Sequence, residues 1–458
     1  LLKVKKNGEL MILFAFITSL FAGVNYYGGN SQEAILKFKA KAEIPFEYGI
    51  SVSNPSAQKL ELVKEELRYQ VDHLIGHFQS NSFYYEFGYK GVLGEYYDLE
   101  IIKLEKIDNN RLIVEYKFSG KVVFEALTFK KNKKVKVPLR MPLAYDKIYE
   151  LGMEKGKNRC TDLHYNSEDD FWYFWDIELP GCPLNGNKED VLHLEGELTA
   201  IANTKLTYPE YDLLYGDNGN KENLEISIFL GYIEPIRSSG MNYNDDGYLA
   251  YKSLAHYFEK NEKFEEVDSL EKFAIDNDGE LVQGISYLKE FEKVVRNKFG
   301  LEMKVKIKLL LSNTELAEDE QTFHLNYTEA LVKSDVVIYD GHSGLGANLN
   351  FNNLPEFNFK KNKYQVFYFN GCSSYPYYNG EYFDKKGGTE YLDILTSGLP
   401  TFSATIFGNL VEFIEPIMNG RFLSYQTMLK NIEKTNEEFG TYLLGVNGDE
   451  DNKFSPKN

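Results

Sequence analysis

Val336-Val337-Ile338-Tyr339-Asp340-Gly341-His342-Ser343-Gly344 and Val366-Phe367-Tyr368-Phe369-Asn370-Gly371-Cys372-Ser373-Ser374 are the stretches on which the reading of this chain turns. Each opens with an unbroken run of β-branched and aromatic residues, the pattern of a strand buried on both faces. Each run ends in Gly and then offers one reactive side chain, His342 in the first and Cys372 in the second. An imidazole and a thiol delivered from the same ends of two neighbouring strands form the base and nucleophile pair that thiol acyl chemistry needs. Asp340 and Asn370 each stand two residues before the reactive one. In a strand that places them on the same face, so they are candidates to orient the imidazole or line the pocket; the competing expectation is that they satisfy loop backbone at the strand ends.

The residues around the pair continue the pattern. Buried-type strands at 224–232, 304–311, 335–339 and 364–369 alternate with helical spacing at 248–258, 281–299 and 325–332; a helix at 389–395 and a strand at 401–406 follow. This alternation implies a mostly parallel sheet with helices on both faces. In such sheets ligands bind beyond the carboxyl ends of the strands, which is where His342 and Cys372 fall.

The first half reads differently. Ser56 is placed to cap a helix in which Leu60, Val63, Leu67, Val71, Leu74 and Phe78 recur at helical spacing. His73 and His77 lie four apart on it, but Leu74 stands where a zinc-peptidase helix needs Glu, so the spacing alone makes a weak metal pair. β-rich runs at 99–107 and 112–124, joined by Asp108-Asn109-Asn110, precede further runs at 134–137 and 191–202. The expectation is a mostly antiparallel, sandwich-like domain over 25–222, with the aromatic cluster Phe171 to Trp175 as its core plug or, failing that, a carbohydrate or peptide platform. A polar stretch at 209–223 reads as the linker to the α/β domain, 223–458, with autocleavage expected between Tyr208 and Glu225.

Composition sets outer bounds. With 458 residues, 43% of them apolar, the chain is long enough for two or three cores. Fifty-one basic against 69 acidic residues give a net charge of −18, which argues against nucleic acid or an anionic membrane surface as partner. Lys3, Lys5 and Lys6 precede the apolar run from Leu10 towards Val24, the arrangement of a secretory signal peptide over 1–24. The expected location is therefore secreted or periplasmic, with no membrane span once the signal is removed. In an oxidising compartment Cys160 and Cys182 are expected to form a disulfide, which leaves Cys372 as the one unpaired thiol.

The order of strand, Gly341-His342, strand, Gly371-Cys372 resembles the caspase-like (clan CD) cysteine peptidases, most nearly those of gingipain and CHAT type. The segment 398–405, with Asn419-Gly420-Arg421 and the helix running to Ile432, resembles the closing strand and helices of that fold. The resemblance covers roughly residues 224–440 and leaves the β-rich half without a family. It implies a cysteine endopeptidase acting through a thioester, with His342 and Cys372 catalytic and the backbone N–H groups of Ser343, Gly371 and Cys372 around the oxyanion. Ser343 stands where those peptidases usually carry Gly, and its N–H can still donate. The relatives cleave after basic or acidic residues, and the acidic balance here favours a basic one. The substrate expected is a protein or peptide, and no cofactor is implied.

Two other readings stay open. A caspase-like domain that has lost activity would serve as a binding or assembly module at the cell surface or in the periplasm. A metal-dependent hydrolase is disfavoured because His164, His193, His256 and His324 are scattered. Acidic clusters at 217–220, 244–247, 276–279 and 449–451 are candidates for calcium, although none matches the twelve-residue calcium loop and solvated turns explain them as well. The oligomeric state is not legible.

Overall fold

The computed structural model describes residues 30–46, 51–202, 205–216, 219–234, 242–314 and 321–456. The signal-like segment 1–24 lies outside them. The chain forms a mixed α/β molecule with two principal sheets.

The first sheet is antiparallel and is built from β1 (Ser31–Pro45), β2 (Gly91–Lys106), β3 (Arg111–Glu125), β4 (Lys134–Pro142) and β5 (Val191–Ala200), in the order β2-β3-β1-β5-β4. Between β1 and β2 runs α1 (Ala57–Gln79), whose first turn is capped by Ser56 accepting from the Lys59 N–H, followed by α2 (Asn81–Phe87). The spacing of Val63, Leu67, Val71, Leu74 and Phe78 puts them on one face of α1, where they share a core with Leu36, Val114, Tyr116, Val122, Leu139 and Leu198 of the sheet. The expected sandwich is thereby corrected: α1 covers the apolar face that a second sheet would have covered. A short helix, α3 (Tyr145–Leu151), leads into a loop bridged by Cys160 and Cys182, Cα atoms 4.8 Å apart.

The second sheet has eight strands: β6 (Asn223–Gly231), β7 (Glu265–Ile275), β8 (Leu281–Arg296), β9 (Glu302–Ser312), β10 (Val336–Asp340), β11 (Gln365–Phe369), β12 (Leu392–Thr396) and β13 (Gly445–Asn447). Their order is β13-β12-β11-β10-β6-β9-β8-β7; the strands from β12 to β9 are parallel, and the edges β13, β8 and β7 join antiparallel. Val336, Ile338, Val366 and Tyr368 face one core with α4 (Asp246–His256), α7 (Ile406–Met418) and α8 (Tyr425–Thr435). Val337, Tyr339, Phe367 and Phe369 face the other with α5 (Thr322–Lys333) and α6 (Gly380–Lys386). That two-sided burial is why these strands carry no polar alternation.

Three expectations along this half are corrected. Residues 281–299 are not a helix; β8 runs through them. Leu281, Ile285, Leu288, Phe291 and Val295 recur at helix-like intervals because they mix two faces of one strand: Ile285, Phe291 and Val295 face one core at even spacing, Leu288 faces the other, and Leu281 is exposed. The helix expected at 389–395 is the strand β12, with α6 lying earlier. The strand expected at 401–406 is a short turn that opens α7, so β12 and β13 complete this edge of the sheet instead.

The two sheets are joined tightly. Ser31 Oγ donates to the Leu444 carbonyl, and Glu95 Oε2 accepts from the Asn379 and Gly380 N–H groups at the start of α6. The stretch 209–223 is less of a linker than its polar residues suggest: Tyr211 and Tyr215 are fully buried, with their hydroxyls donated to the Leu423 and Ile417 carbonyls. Among the described residues no helix is long and apolar enough to cross a membrane.

Candidate functional site

Register brings the reactive pair together. β10 and β11 are adjacent and parallel, with Val336 beside Val366 and Tyr339 beside Phe369. Carrying that offset past the strand ends sets Asp340 beside Asn370 and His342 level with Cys372. The parallel strands, numbered by order in the chain, lie 2-1-3-4-5, so the order reverses between β6 and β10, and the crevice outside that reversal is where open α/β sheets bind ligands.

A cleft of about 430 Å³ occupies this position. Its walls include Tyr232, Ile233 and Glu234 after β6, Asn313 after β9, His342 to Leu345 after β10, and Cys372 after β11. His164 and Tyr165, from the disulfide-bridged loop of the antiparallel half, complete it.

His342 is exposed to the cleft, and its Nε2 lies 2.8 Å from the Ile233 carbonyl oxygen. That contact requires Nε2 to carry the proton, which leaves Nδ1 as the nitrogen able to accept one. The loop after it is fixed through its backbone: the His342 carbonyl accepts from Asn348 Nδ2 at 2.8 Å, and the Ser343 carbonyl from the Tyr378 hydroxyl at 2.8 Å. Gly344, at φ +56, abuts Asn348 so closely that a Cβ would lie 2.5 Å from its Oδ1, a position for glycine alone.

Cys372 is partly exposed as a residue, but its sulfur sits deep enough that desolvation pushes the thiol above its ordinary value. The Sγ–H points to the Thr401 carbonyl at 3.8 Å, a weak bond that the neutral thiol makes. The resting group is thus a thiol. Among the described residues the backbone N–H groups of Ser343, Gly371 and Cys372 are donated to no backbone carbonyl, which keeps them available as oxyanion donors. Gly371 packs under the neighbouring turn, where an added Cβ would meet the Gly341 carbonyl at 3.1 Å.

Asp340 and Asn370 are brought together, but away from the imidazole. Asn370 Nδ2 donates to Asp340 Oδ2 at 2.6 Å and Asn370 Oδ1 accepts from the Tyr368 hydroxyl at 2.9 Å, all of it buried beneath the cleft. Desolvation raises the Asp340 carboxyl to about 7. The group that holds the imidazole is the Ile233 carbonyl, which sequence reasoning missed; a main-chain acceptor leaves no side-chain signature. His164 and Tyr165 were missed as well, and the signal that could have found them is the pairing of Cys160 with Cys182 around a run rich in aromatic residues.

The other candidates disperse into structure. His73 Nδ1 lies 2.8 Å from the Tyr69 carbonyl and His77 Nε2 3.1 Å from the Pro138 carbonyl, both buried in the core, where desolvation lowers them to about 4 and about 3. Asp245 caps α4 and accepts from the Ile233 and Glu234 N–H groups; Asp276 accepts from those of Asp278 and Glu280 in the β7–β8 turn; Asp449 accepts from the Thr207 hydroxyl. No group of three metal-ligating side chains occurs among the described residues, and 217–218 lie outside them. Phe171, Tyr173 and Trp175 are buried as core. No family model, curated protein or solved structure matches the chain.

Proposed function

We propose that the chain is an exported cysteine endopeptidase of caspase-like kind, hydrolysing peptide bonds through a thioester on Cys372 with His342 as proton carrier. The observation that carries this reading is the cleft shared by a thiol and an imidazole at the ends of adjacent parallel strands, with the imidazole already held through Nε2. Cys372 Sγ attacks the scissile carbonyl while its proton passes to His342 Nδ1. The N–H groups of Ser343, Gly371 and Cys372 are the candidates to hold the oxyanion, each able to contribute on the order of 3 kcal/mol. Collapse expels the amine, which takes the proton from His342, and water then releases the acid and restores the thiol.

Glu234 supports cleavage after a basic residue. It is the one carboxylate among the described residues lining the cleft, no Lys or Arg lines it there, and the rings of Tyr165 and Tyr232 offer faces to a cation. The Cys160–Cys182 bridge supports an oxidising compartment.

The test is hydrolysis of arginine- and lysine-containing peptides by the full chain. Cys372→Ala is expected to lower kcat/KM by about 10³-fold or more, and His342→Ala by about 10²-fold, with melting temperatures unchanged. Wild-type cleavage by Cys372→Ala would refute the reading. One observation favours a second: the thiol is bonded to Thr401 and raised by burial, the state of a cysteine that does no chemistry. Peptide binding that survives Cys372→Ala, with no turnover by the wild type, would make the domain an inactive caspase-like binding module.

A further inference from the structure

The turn that carries Cys372 is tied down residue by residue, and one tie comes from the other half of the molecule. Ser397 Oγ donates to the Gly371 carbonyl at 2.6 Å, Cys372 Sγ to the Thr401 carbonyl, and Ser374 Oγ to the Phe369 carbonyl at 2.7 Å; all these partners belong to the parallel-sheet half. Ser373 is held from both halves: its N–H donates to the Leu399 carbonyl at 3.3 Å, and its side chain is held by Tyr173, whose buried hydroxyl donates to Ser373 Oγ at 2.8 Å across 200 residues of sequence. Ser373 adopts φ +46, the left-handed region, which is strained for any residue with a Cβ and persists only where its surroundings impose it.

Tyr173 is itself immobilised. It sits in the helical turn Phe171–Phe174, packed on α1 at Gly76, where an added Cβ would come within 2.3 Å of the Trp172 carbonyl and the Trp175 N–H nitrogen. The Tyr165 ring lies 4.9 Å from that of Tyr173, and the Cys160–Cys182 bridge closes the loop that holds both.

We propose that Tyr173 is a positioning residue for Cys372: by holding Ser373 in its strained conformation, the antiparallel half sets where the sulfur stands in the cleft. The inference rests on Cys372 being the nucleophile. The ionisable groups facing the thiol are Tyr165 and Tyr173 from the bridged loop, Asp340 and His342 from the end of β10, and Tyr442. Ser373→Ala releases the turn with each of them in place and frees the sulfur towards solvent.

The experiment compares wild type, Tyr173→Phe, Ser373→Ala and the double variant of the full chain. Two readouts are taken: the rate of Cys372 alkylation by iodoacetamide from about pH 5 to 9, and peptide hydrolysis. Each single variant is expected to lower kcat about tenfold with KM nearly unchanged, since the reacting atom is displaced while the cleft remains. Alkylation at pH 7 is expected to become about threefold faster or more, with its profile moved to lower pH, because a thiol released from burial returns towards its ordinary value. The double variant should be no worse than either single one, as for two residues acting through one bond. Alkylation profiles that superimpose on wild type in both single variants would overturn the proposal, as would effects that simply add in the double variant. The alkylation readout needs no turnover, so it judges the clamp even if Cys372→Ala shows that another group cleaves peptides.

Discussion

The two sheets lean towards opposite kinds of buried ionisable group. The antiparallel half encloses His73 and His77 as neutral imidazoles, lowered by desolvation to about 4 and about 3, whereas the parallel half encloses Asp340 and Asp393 as carboxyls raised by desolvation to about 7. The division is not complete: desolvation also raises Asp72 (to about 7), Glu95 and Glu125 in the antiparallel half, and lowers His324 in the parallel one. The difference follows from what each core must satisfy. A neutral imidazole can donate to the main-chain carbonyls that α1 and β4 present, while the carboxyls accept from Asn370 in one case and from Tyr364, Tyr425 and Asn452 in the other. The two histidines and the two carboxyls should therefore answer acid in opposite senses.

That contrast is breakable, and its pH dependence is the largest effect expected. The unfolded chain protonates histidine near 6.5, so the contribution of His73 and His77 is fully present above that pH and is lost as pH falls towards 3. The unfolded chain ionises aspartate near 3.8, so the contribution of Asp340 and Asp393 is fully present below that pH and is lost as pH rises through about 7. Each displacement is worth on the order of 4 kcal/mol. Both tryptophans, Trp172 and Trp175, lie in the antiparallel half, so their fluorescence reports that half while segment-resolved hydrogen exchange reports the other. His77→Gln should flatten the acid limb and Asp340→Asn the alkaline one; limbs of the same sign in both halves would end the comparison.

A smaller effect is expected from the disulfide. Replacing Cys160 and Cys182 by Ser frees a loop spanning 22 residues and should destabilise the antiparallel half by about 3 kcal/mol, read as a lower urea midpoint by tryptophan fluorescence. The parallel half should keep its own midpoint, and a common shift would mean that the two unfold as one. Smallest is the cap of α1. Ser56→Ala removes the bond from the Lys59 N–H and should cost about 1 kcal/mol, again in the antiparallel half alone.

What was legible in the sequence was whatever leaves a periodic or compositional trace. The strands β10 and β11 were read from unbroken apolar runs, and α1 from Ser56 and the spacing of Val63 to Phe78, because burial writes those patterns directly. The disulfide was read from cysteine logic, and the structure pairs the same residues. β8 was not legible, since apolar residues on both of its faces together imitate the intervals of a helix. Of the candidate site, the placement of His342 and Cys372 in one cleft follows from the strand runs, but the Ile233 carbonyl and the wall formed by His164 and Tyr165 do not. A main-chain oxygen has no residue type, and a loop brought across from another sheet has no period.

The position of β1 bears on how the chain is made. All five strands of the antiparallel sheet lie between residues 31 and 200, so that sheet can close during synthesis before the residues of the parallel sheet exist. Yet Ser31 finds its partner at Leu444, 413 residues later, and Glu95 waits 285 residues for the N–H of Gly380. A nascent chain therefore carries a nearly finished sheet whose remaining polar groups stay in water until residues 380–444 have followed. It then serves as the template on which those residues dock.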